Sequence, residues 1–367
     1  MIPLRLKIAT QRGEPFIVRL NDDRHFLDAT YSRMTSFDAQ LEEVAVNAAI
    51  YATSHGPLHI YDTDPTETHG DVLFVVPDRK IAHRFIRASS PHNTFLVTER
   101  CDQLCVMCSQ PPKENHVDMF PHFEAAALLT ETGKTIGISG GEPLLYKDQL
   151  FGLLKRVLTT RPDLRFHILT NGQQFCEEDT EALSSLPRDS ILWGIPLYSH
   201  KSATHDEIVG KQGAYVRLLQ SLAILARTGS AIELRTVIMQ PNAAQLPSLA
   251  RFISSHVPFI SVWAIMQLEN IGYGRQNWDQ LFFDNSTDFA PIASAMNLVR
   301  ARGMEARLYN FPLCTVPSEY RELAPPTISD WKRAYPDLCE PCSKKTECSG
   351  FFEWHPHNKS YEGVRPI

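Results

Sequence analysis

Asn93-Thr-Phe-Leu-Val-Thr-Glu-Arg-Cys101-Asp-Gln-Leu-Cys105-Val-Met-Cys108 joins a β-branched and aromatic run to three cysteines in one short loop. The run Asn93–Thr98 has the composition of a strand. The loop after it has C-x3-C-x2-C spacing. Three thiolates this close together can hold three corners of a cube-shaped [4Fe–4S] cluster, which leaves the fourth iron without a protein ligand. An open iron is a place where a small molecule can bind and react. A structural zinc site is the other reading of clustered cysteines, but it takes four ligands, commonly from paired hooks, and this loop offers three.

Outward from the loop, short extended runs alternate with helical stretches. Thr135–Ser139, Arg165–Leu169, Ile191–Leu197, Ala231–Met239 and Phe259–Gln267 read as extended. Pro121–Thr132, Asp148–Thr159, Glu177–Leu186, Tyr215–Thr228, Leu246–Ser255 and Asp288–Arg302 read as helical. Such alternation is the signature of repeated βα units on a parallel sheet. About six strands fit, fewer than the eight of a closed barrel. The expected fold class is therefore α/β, a partial (β/α)6 TIM-type barrel over residues 91–303. Residues 1–90 form an N-terminal β-rich accessory region, with strands at Phe16–Leu20 and Asp71–Val76 and a helix at Leu41–Ala52. Its histidines, among them His55, His59 and His69, are scattered and read as surface or satisfied side chains. Residues 304–367 are rich in Pro and Cys and too loop-like to build a large core, as small metal-stapled units are.

Composition excludes several classes. The chain has 367 residues, 43% of them hydrophobic, and a formal net charge of −6, so no nucleic-acid-binding surface is advertised. No apolar run is long enough to span a membrane, and the first residues lack the apolar core and cleavage site of a secretion signal. The eight cysteines fall into two groups, Cys101, Cys105 and Cys108, then Cys314, Cys339, Cys342 and Cys348, with Cys176 alone. Clustered C-x2-C spacing without an export signal argues for metal or cluster ligation over disulfides. Because cluster assembly needs a reducing compartment, a cytoplasmic location is expected. Cys176 is most simply a small buried hydrophobe.

The strand after the cysteine loop ends in Ser139-Gly140-Gly141-Glu142-Pro143. Ligands of parallel α/β folds gather at such strand ends. Glycines there let the backbone approach a ligand closely, and Glu142 can accept a hydrogen bond from a cationic amine. Taken together, Cys101-x3-Cys105-x2-Cys108 and Gly140-Gly-Glu-Pro143 resemble the radical S-adenosylmethionine (SAM) superfamily over about residues 91–300. The resemblance implies a [4Fe–4S] cluster on the three cysteines, with SAM chelated at the open iron. It implies Met107 near the adenine, the Gly140–Pro143 turn around the methionine end of SAM, and Glu142 on its amino group. Asn171, in Thr170-Asn-Gly172, fits a strand-end turn of the family, although an Asn-Gly turn needs no ligand to explain it. Ser199 fits a polar residue that contacts ribose or carboxylate. His205-Asp206-x3-Gly210-x2-Gly213 resembles a loop of peptide-modifying members in which an arginine often precedes the first glycine. Val209 stands there instead, and Arg235 is the cation that could serve the carboxylate.

Cys339-x2-Cys342-x5-Cys348, with Cys314 as a fourth ligand, resembles the SPASM or shorter twitch extension of peptide-modifying radical SAM enzymes. That implies a second, fully ligated [4Fe–4S] cluster for electron transfer or structure; a four-cysteine zinc site is the alternative the spacing permits. Cys108-Ser-Gln-Pro-Pro-Lys113, Tyr309-Asn-Phe-Pro-Leu-Cys314 and Cys348-Ser-Gly-Phe-Phe352 are similar to the His-Xaa-Ser system radical SAM maturases. The partners this implies are a ribosomal peptide substrate, a partner radical SAM maturase and a flavodoxin- or ferredoxin-type electron donor. Two rival readings are a radical SAM enzyme acting on a small metabolite or cofactor precursor, and a non-catalytic iron–sulfur scaffold.

Overall fold

The computed structural model describes residues 3–22, 37–356 and 360–367. Seven strands come first: β1 (Arg5–Thr10), β2 (Phe16–Asn21), β3 (Asp38–Ala45), β4 (Ala48–Thr53), β5 (Leu58–Tyr61), β6 (Val72–Val76) and β7 (Ile81–Ile86). They close into a barrel in the order β1-β5-β4-β3-β2-β6-β7. A second set, β8 (Asn93–Thr98), β9 (Thr135–Gly140), β10 (Arg165–Leu169), β11 (Ile191–Pro196), β12 (Ala231–Val237), β13 (Val262–Met266) and β14 (Ala306–Tyr309), forms one seven-stranded sheet in chain order. The registers of β11 with β12, β12 with β13 and β13 with β14 are parallel. This α/β core with a parallel sheet is the expected fold class. The sheet has one strand more than the six expected, because Ala306–Tyr309 is only four residues long and follows directly on a helix.

By its contacts the chain divides into two compact units. One comprises Met1–Val97, Val117–Ser139 and Tyr146–His167; the other comprises Thr98–His116, Gly140–Leu145 and Ile168–Ile367.

In the first unit, alternation builds the barrel. Leu6, Ile8, Phe16, Val18, Leu20, Ala39, Leu41, Tyr51, Leu58, Ile60, Leu73 and Val75 turn inward into one apolar core, while neighbours such as Arg5 and Lys7 turn out. The helix expected at Leu41–Ala52 is instead the β3–β4 hairpin, turning at Val46–Asn47. A bulge between Leu41 and Glu43 shifts the register and interrupts the strict alternation that would have marked a strand. Helices α1 (Phe120–Leu129) and α2 (Lys147–Thr160) follow. Phe123 of α1 packs on Phe85 at 4.7 Å and on Phe95 at 4.6 Å between ring centroids. His69 pairs with Asp22 and His55 packs on Phe16, so these histidines have separate, ordinary partners.

The second unit carries α3 (Thr180–Ser185), α4 (Ser202–Val209), α5 (Ala214–Arg227), α6 (Gln240–Ala243), α7 (Leu246–His256), α8 (Gly272–Gln276), α9 (Trp278–Leu281) and α10 (Ala290–Ala301). The longer ones are amphipathic, as α7 shows by burying Leu246, Leu249, Ala250 and Ile253 at helical spacing. Among the described residues, no helix is long and apolar enough to cross a membrane.

Among the described residues, the barrel holds a fully buried ion pair. Arg84 Nε donates to Asp71 Oδ2 at 2.5 Å, and the Arg84 guanidinium also donates to the carbonyls of Pro3 and Glu67. Asp71 Oδ1 accepts the Ala88 N–H at 2.9 Å. Removing one partner leaves a buried, uncompensated charge, which costs about 3–5 kcal/mol. Arg84→Met should therefore lower the urea midpoint by that much stability, and adding Asp71→Asn should recover most of it. An unchanged midpoint in Arg84→Met, or equal losses in single and double variants, would contradict this account.

Candidate functional site

The cysteine loop runs on from the C-terminal end of β8, and backbone contacts grip it from several sides. Leu104 N–H donates to the Val209 carbonyl at 3.1 Å and Val106 N–H to the Ile208 carbonyl at 2.9 Å, at the end of α4. Tyr273 N–H donates to the Cys108 carbonyl at 2.8 Å, and Asn277 Nδ2 to the Val106 carbonyl at 2.8 Å. Three glycines make these approaches possible. A Cβ on Gly141 would run into the Arg100 carbonyl, one on Gly272 into the Cys108 carbonyl, and one on Gly210 would lie 2.6 Å from the Leu104 carbonyl. Gly210 and Gly272 also have positive φ, which L side chains rarely adopt.

Cys101, Cys105 and Cys108 are unpaired and close enough to act on one another. Burial pushes the Cys101 thiol up to about 11 and the Cys105 thiol up to about 12, with Cys108 adding to the effect on Cys101 and both other sulfurs adding to it on Cys105. Burial raises Cys108 as well. A backbone hydrogen bond from Gln103 opposes the rise at Cys101, and the Cys108 thiol donates to the Gln110 carbonyl at 3.0 Å. A bound cation reverses the penalty on the anions, since a coordinating thiol is deprotonated outright. Such a donor set fits an iron–sulfur cluster. Among the described residues, no group of three or more His, Cys, Asp or Glu is drawn together closely enough to hold one metal ion. A four-iron cube takes its cysteines on separate irons, so its ligands need not converge on a point.

Glu142 follows β9 and is fully buried. Its Oε1 accepts the Leu144 N–H at 2.8 Å and the Thr170 hydroxyl at 2.6 Å, and its Oε2 accepts the Asn171 N–H at 2.6 Å. Burial outweighs these donors and raises its carboxyl to about 7. A carboxylate offers about four acceptor directions; three are taken, and the remaining one lies on Oε2. Gly140 and Gly141 bring this turn against Thr98 and Arg100, and Pro143 is buried at the start of the short helical turn that follows.

The other sequence candidates separate. Met107 is buried in an apolar cluster with Tyr198, Ile208, Met239, Leu268, Trp278 and Phe282, against which Cys105 packs. Asn171 spends its side chain on the loops: Nδ2 donates to Asp102 Oδ1 at 2.7 Å and Oδ1 accepts the Gln173 N–H. Ser199 is buried, with its hydroxyl donating to Gln245 Oε1 at 3.1 Å and accepting the Lys201 N–H at 3.0 Å. Arg235 is ion-paired with buried Glu233, which also accepts the Tyr309 hydroxyl; it lies close enough to Tyr198 to act on its phenol together with the three cysteines. Val209 is fully buried. His205 accepts the Tyr198 N–H at its Nδ1, and burial lowers it to about 4. Asp206 caps α5 through the N–H groups of Gly213 and Tyr215.

Cys314, Cys339, Cys342 and Cys348 line one pocket with Tyr335 and Phe351. Cys348 Sγ accepts the N–H groups of Leu313 at 3.2 Å and Gly350 at 3.3 Å, and the Arg365 N–H points at Cys314. Burial pushes the Cys314 thiol up to about 11, with Cys348 and Cys339 adding to it. Aromatic rings continue from this pocket. Phe351 packs on His355 and Tyr361, Tyr361 on Phe282, and Phe282 on Trp278 in the cluster that holds Met107. The sequence reading missed Asp102, next to Cys101, and Gln174 and Lys211, whose side chains both donate to Asp102 Oδ2. Nothing in their own spacing marks them.

Comparison with known proteins follows the same lines. Over 159 residues the chain is 28% identical to the AdoMet-dependent heme synthase of Methanosarcina barkeri (strain Fusaro / DSM 804), a stretch that is 41% of this chain and 43% of that protein. The structure of Streptococcus suis SuiB bound to S-adenosylmethionine superposes with a TM-score of 0.50 at 15% identity, covering 61% of this chain and 51% of SuiB. SuiB bound to its precursor peptide SuiA gives a TM-score of 0.48 at 15% identity, over 61% of this chain and 49% of that one. The chain thus spans about half the length of the proteins it matches, and the likeness to SuiB is one of fold. Residues 95–253 match the radical SAM superfamily, so this chain carries a radical SAM domain, with the cysteine loop and Glu142 inside it.

Proposed function

We propose that the chain is a radical SAM enzyme, and the observation that carries this reading is Glu142. A fully buried carboxylate with one free acceptor direction, one βα unit from three clustered thiols, suits an ammonium group better than any structural role. In this reading Cys101, Cys105 and Cys108 hold a [4Fe–4S] cluster. Glu142 accepts the amino group of SAM, the Gly140–Pro143 turn and Asn171 shape the pocket, and Met107 with its apolar neighbours takes the adenine and keeps water out. Ser199 and Arg235 complete the assignment at ribose and carboxylate, Arg235 by exchanging part of its pairing with Glu233. When bound and reduced by an external one-electron donor, the cluster and SAM would supply the chemistry that removes hydrogen from an unreactive carbon. The protein's share is binding, orientation and exclusion of water.

The finer reading is a peptide maturase of His-Xaa-Ser type, with residues 1–90 as accessory region, 91–303 as core and 304–367 as a module holding a second [4Fe–4S] cluster on Cys314, Cys339, Cys342 and Cys348. Its support is the cysteine pocket beside the core and the sequence resemblance in the loops that flank it. Its partners would be a ribosomal peptide, a second maturase and a flavodoxin- or ferredoxin-type donor. The resemblance to a heme synthase favours a second reading, action on a small cofactor precursor. A mass shift on a co-expressed peptide decides for the first, and turnover of a metabolite with no peptide modified decides for the second.

After anaerobic reconstitution, about eight irons per chain are expected for two clusters and about four for one. Changing Cys101, Cys105 and Cys108 together to alanine should remove one cluster's iron and abolish 5′-deoxyadenosine release; undiminished release would sink the proposal. Glu142→Gln should weaken SAM binding about ten- to a hundredfold, the worth of one hydrogen bond to a charged group. Because burial raises the Glu142 carboxyl to about 7 and it binds an ammonium only as carboxylate, SAM affinity should fall as pH drops below 7, approaching about tenfold per pH unit. Glu142→Gln should flatten that slope, and a slope that persists in the variant assigns it to another group.

A further inference from the structure

Asp102 stands between Cys101 and Gln103, where three loops meet. Its Oδ1 accepts Asn171 Nδ2 at 2.7 Å; its Oδ2 accepts Gln174 Nε2 at 2.8 Å and Lys211 Nζ at 2.6 Å. Asn171 and Gln174 belong to the segment after β10, and Lys211 to the turn after α4. That turn cannot drift from the cysteines. The carbonyls of Ile208 and Val209 accept the loop's N–H groups, Gly210 presses on the Leu104 carbonyl, and Lys211 N–H is tied to the Asp206 carbonyl. The side chains of Asp102 and Lys211 are 22% and 26% exposed, so their charges act largely through protein, where screening is weak. Glu142 is a second carboxylate whose charge reaches both Cys101 and Asp102. Beside the three thiols and two carboxylates, Lys211 supplies a cation bonded directly to the loop.

We infer that the Asp102–Lys211 pair sets the reduction potential of the cluster held by Cys101, Cys105 and Cys108, the two residues acting as positioning residues beside the ligands. The inference rests on the proposed reading of that loop. Reduction adds one electron from an external one-electron donor, [4Fe–4S]2+ + e− → [4Fe–4S]+, and cluster potentials respond to nearby charge. A fixed anion opposes the added electron and a fixed cation favours it. Paired, the two charges offset each other. Removing Lys211 alone exposes the cluster to the Asp102 anion; removing the Asp102 charge alone exposes it to the Lys211 cation. The two deletions therefore displace the potential in opposite directions, which a merely structural contact would not do.

The test uses the full chain, reconstituted anaerobically and poised with dithionite and mediators. The signal followed is the electron paramagnetic resonance of reduced cluster that added SAM perturbs. Lys211→Met should lower the midpoint potential, Asp102→Asn should raise it, Lys211→Arg should leave it at the wild-type value, and the double variant Asp102→Asn/Lys211→Met should fall between the singles. Shifts of the same sign in the two single variants, or no shift with iron content intact, would overturn the inference. Where a single variant fails to load iron, the double variant decides. Recovery of loading supports a compensating pair, and continued loss overturns it. A wild-type chain that loads no iron, or shows no SAM-sensitive signal, counts instead against the reading of the loop itself.

Discussion

Close backbone approach at glycine is the constraint on which the site depends. Gly141, Gly210 and Gly272 come from three different places in the chain, and each lies against a carbonyl of the segment 100–108. A side chain at any of them would have to displace main chain, which has no rotamer to yield. The hydrogen bonds from Leu104, Val106 and Tyr273 exist because those surfaces can come that close. The loop has no regular secondary structure of its own between Arg100 and Met119. Its shape is imposed from outside, by the turn after β9, the C-terminal end of α4 and the start of α8.

Electrostatics then works against the fold in a way that suits a ligand. Three hydrogen-bond donors hold Glu142, and burial still wins, raising its carboxyl to about 7. The cysteines are disfavoured as anions for the same reason. Each penalty would be relieved by positive charge, which in the proposed reading is an ammonium in one case and an iron core in the other. Stability surrendered at such positions without an evident return is characteristic of functional sites.

Much of this was legible in the sequence. The βα alternation after residue 91 marked the parallel sheet because each element is long enough to show its period, and the two motifs singled out the cysteines and Glu142 as candidates by their spacing. The N-terminal barrel was read only in part. Leu41–Ala52 is apolar on both sides of a bulge, so its period is broken where a strand would have declared itself. Asp102 and Lys211 were invisible for a different reason: their bond joins positions 109 residues apart, and neither residue belongs to a spacing pattern. Asn171 was named for its turn, yet its amide is committed to Asp102, a role that only the assembled loops reveal.

The grip on the cysteine loop also has a timetable. The bond from Asn277 to the Val106 carbonyl spans 171 residues, and the Gly272 contact with Cys108 spans nearly as many. At roughly 5–20 residues per second of synthesis, the three thiols emerge from a ribosome on the order of ten to thirty seconds before the chain that shapes their loop. Contacts of such long range also form late in folding, since loop closure must precede them. Until then the cysteines sit on an unconstrained segment, open to oxidation and to adventitious metals, with none of the geometry that selects a cubane. On the proposed reading of the loop, a cluster would find its cradle shaped only in the nearly complete chain.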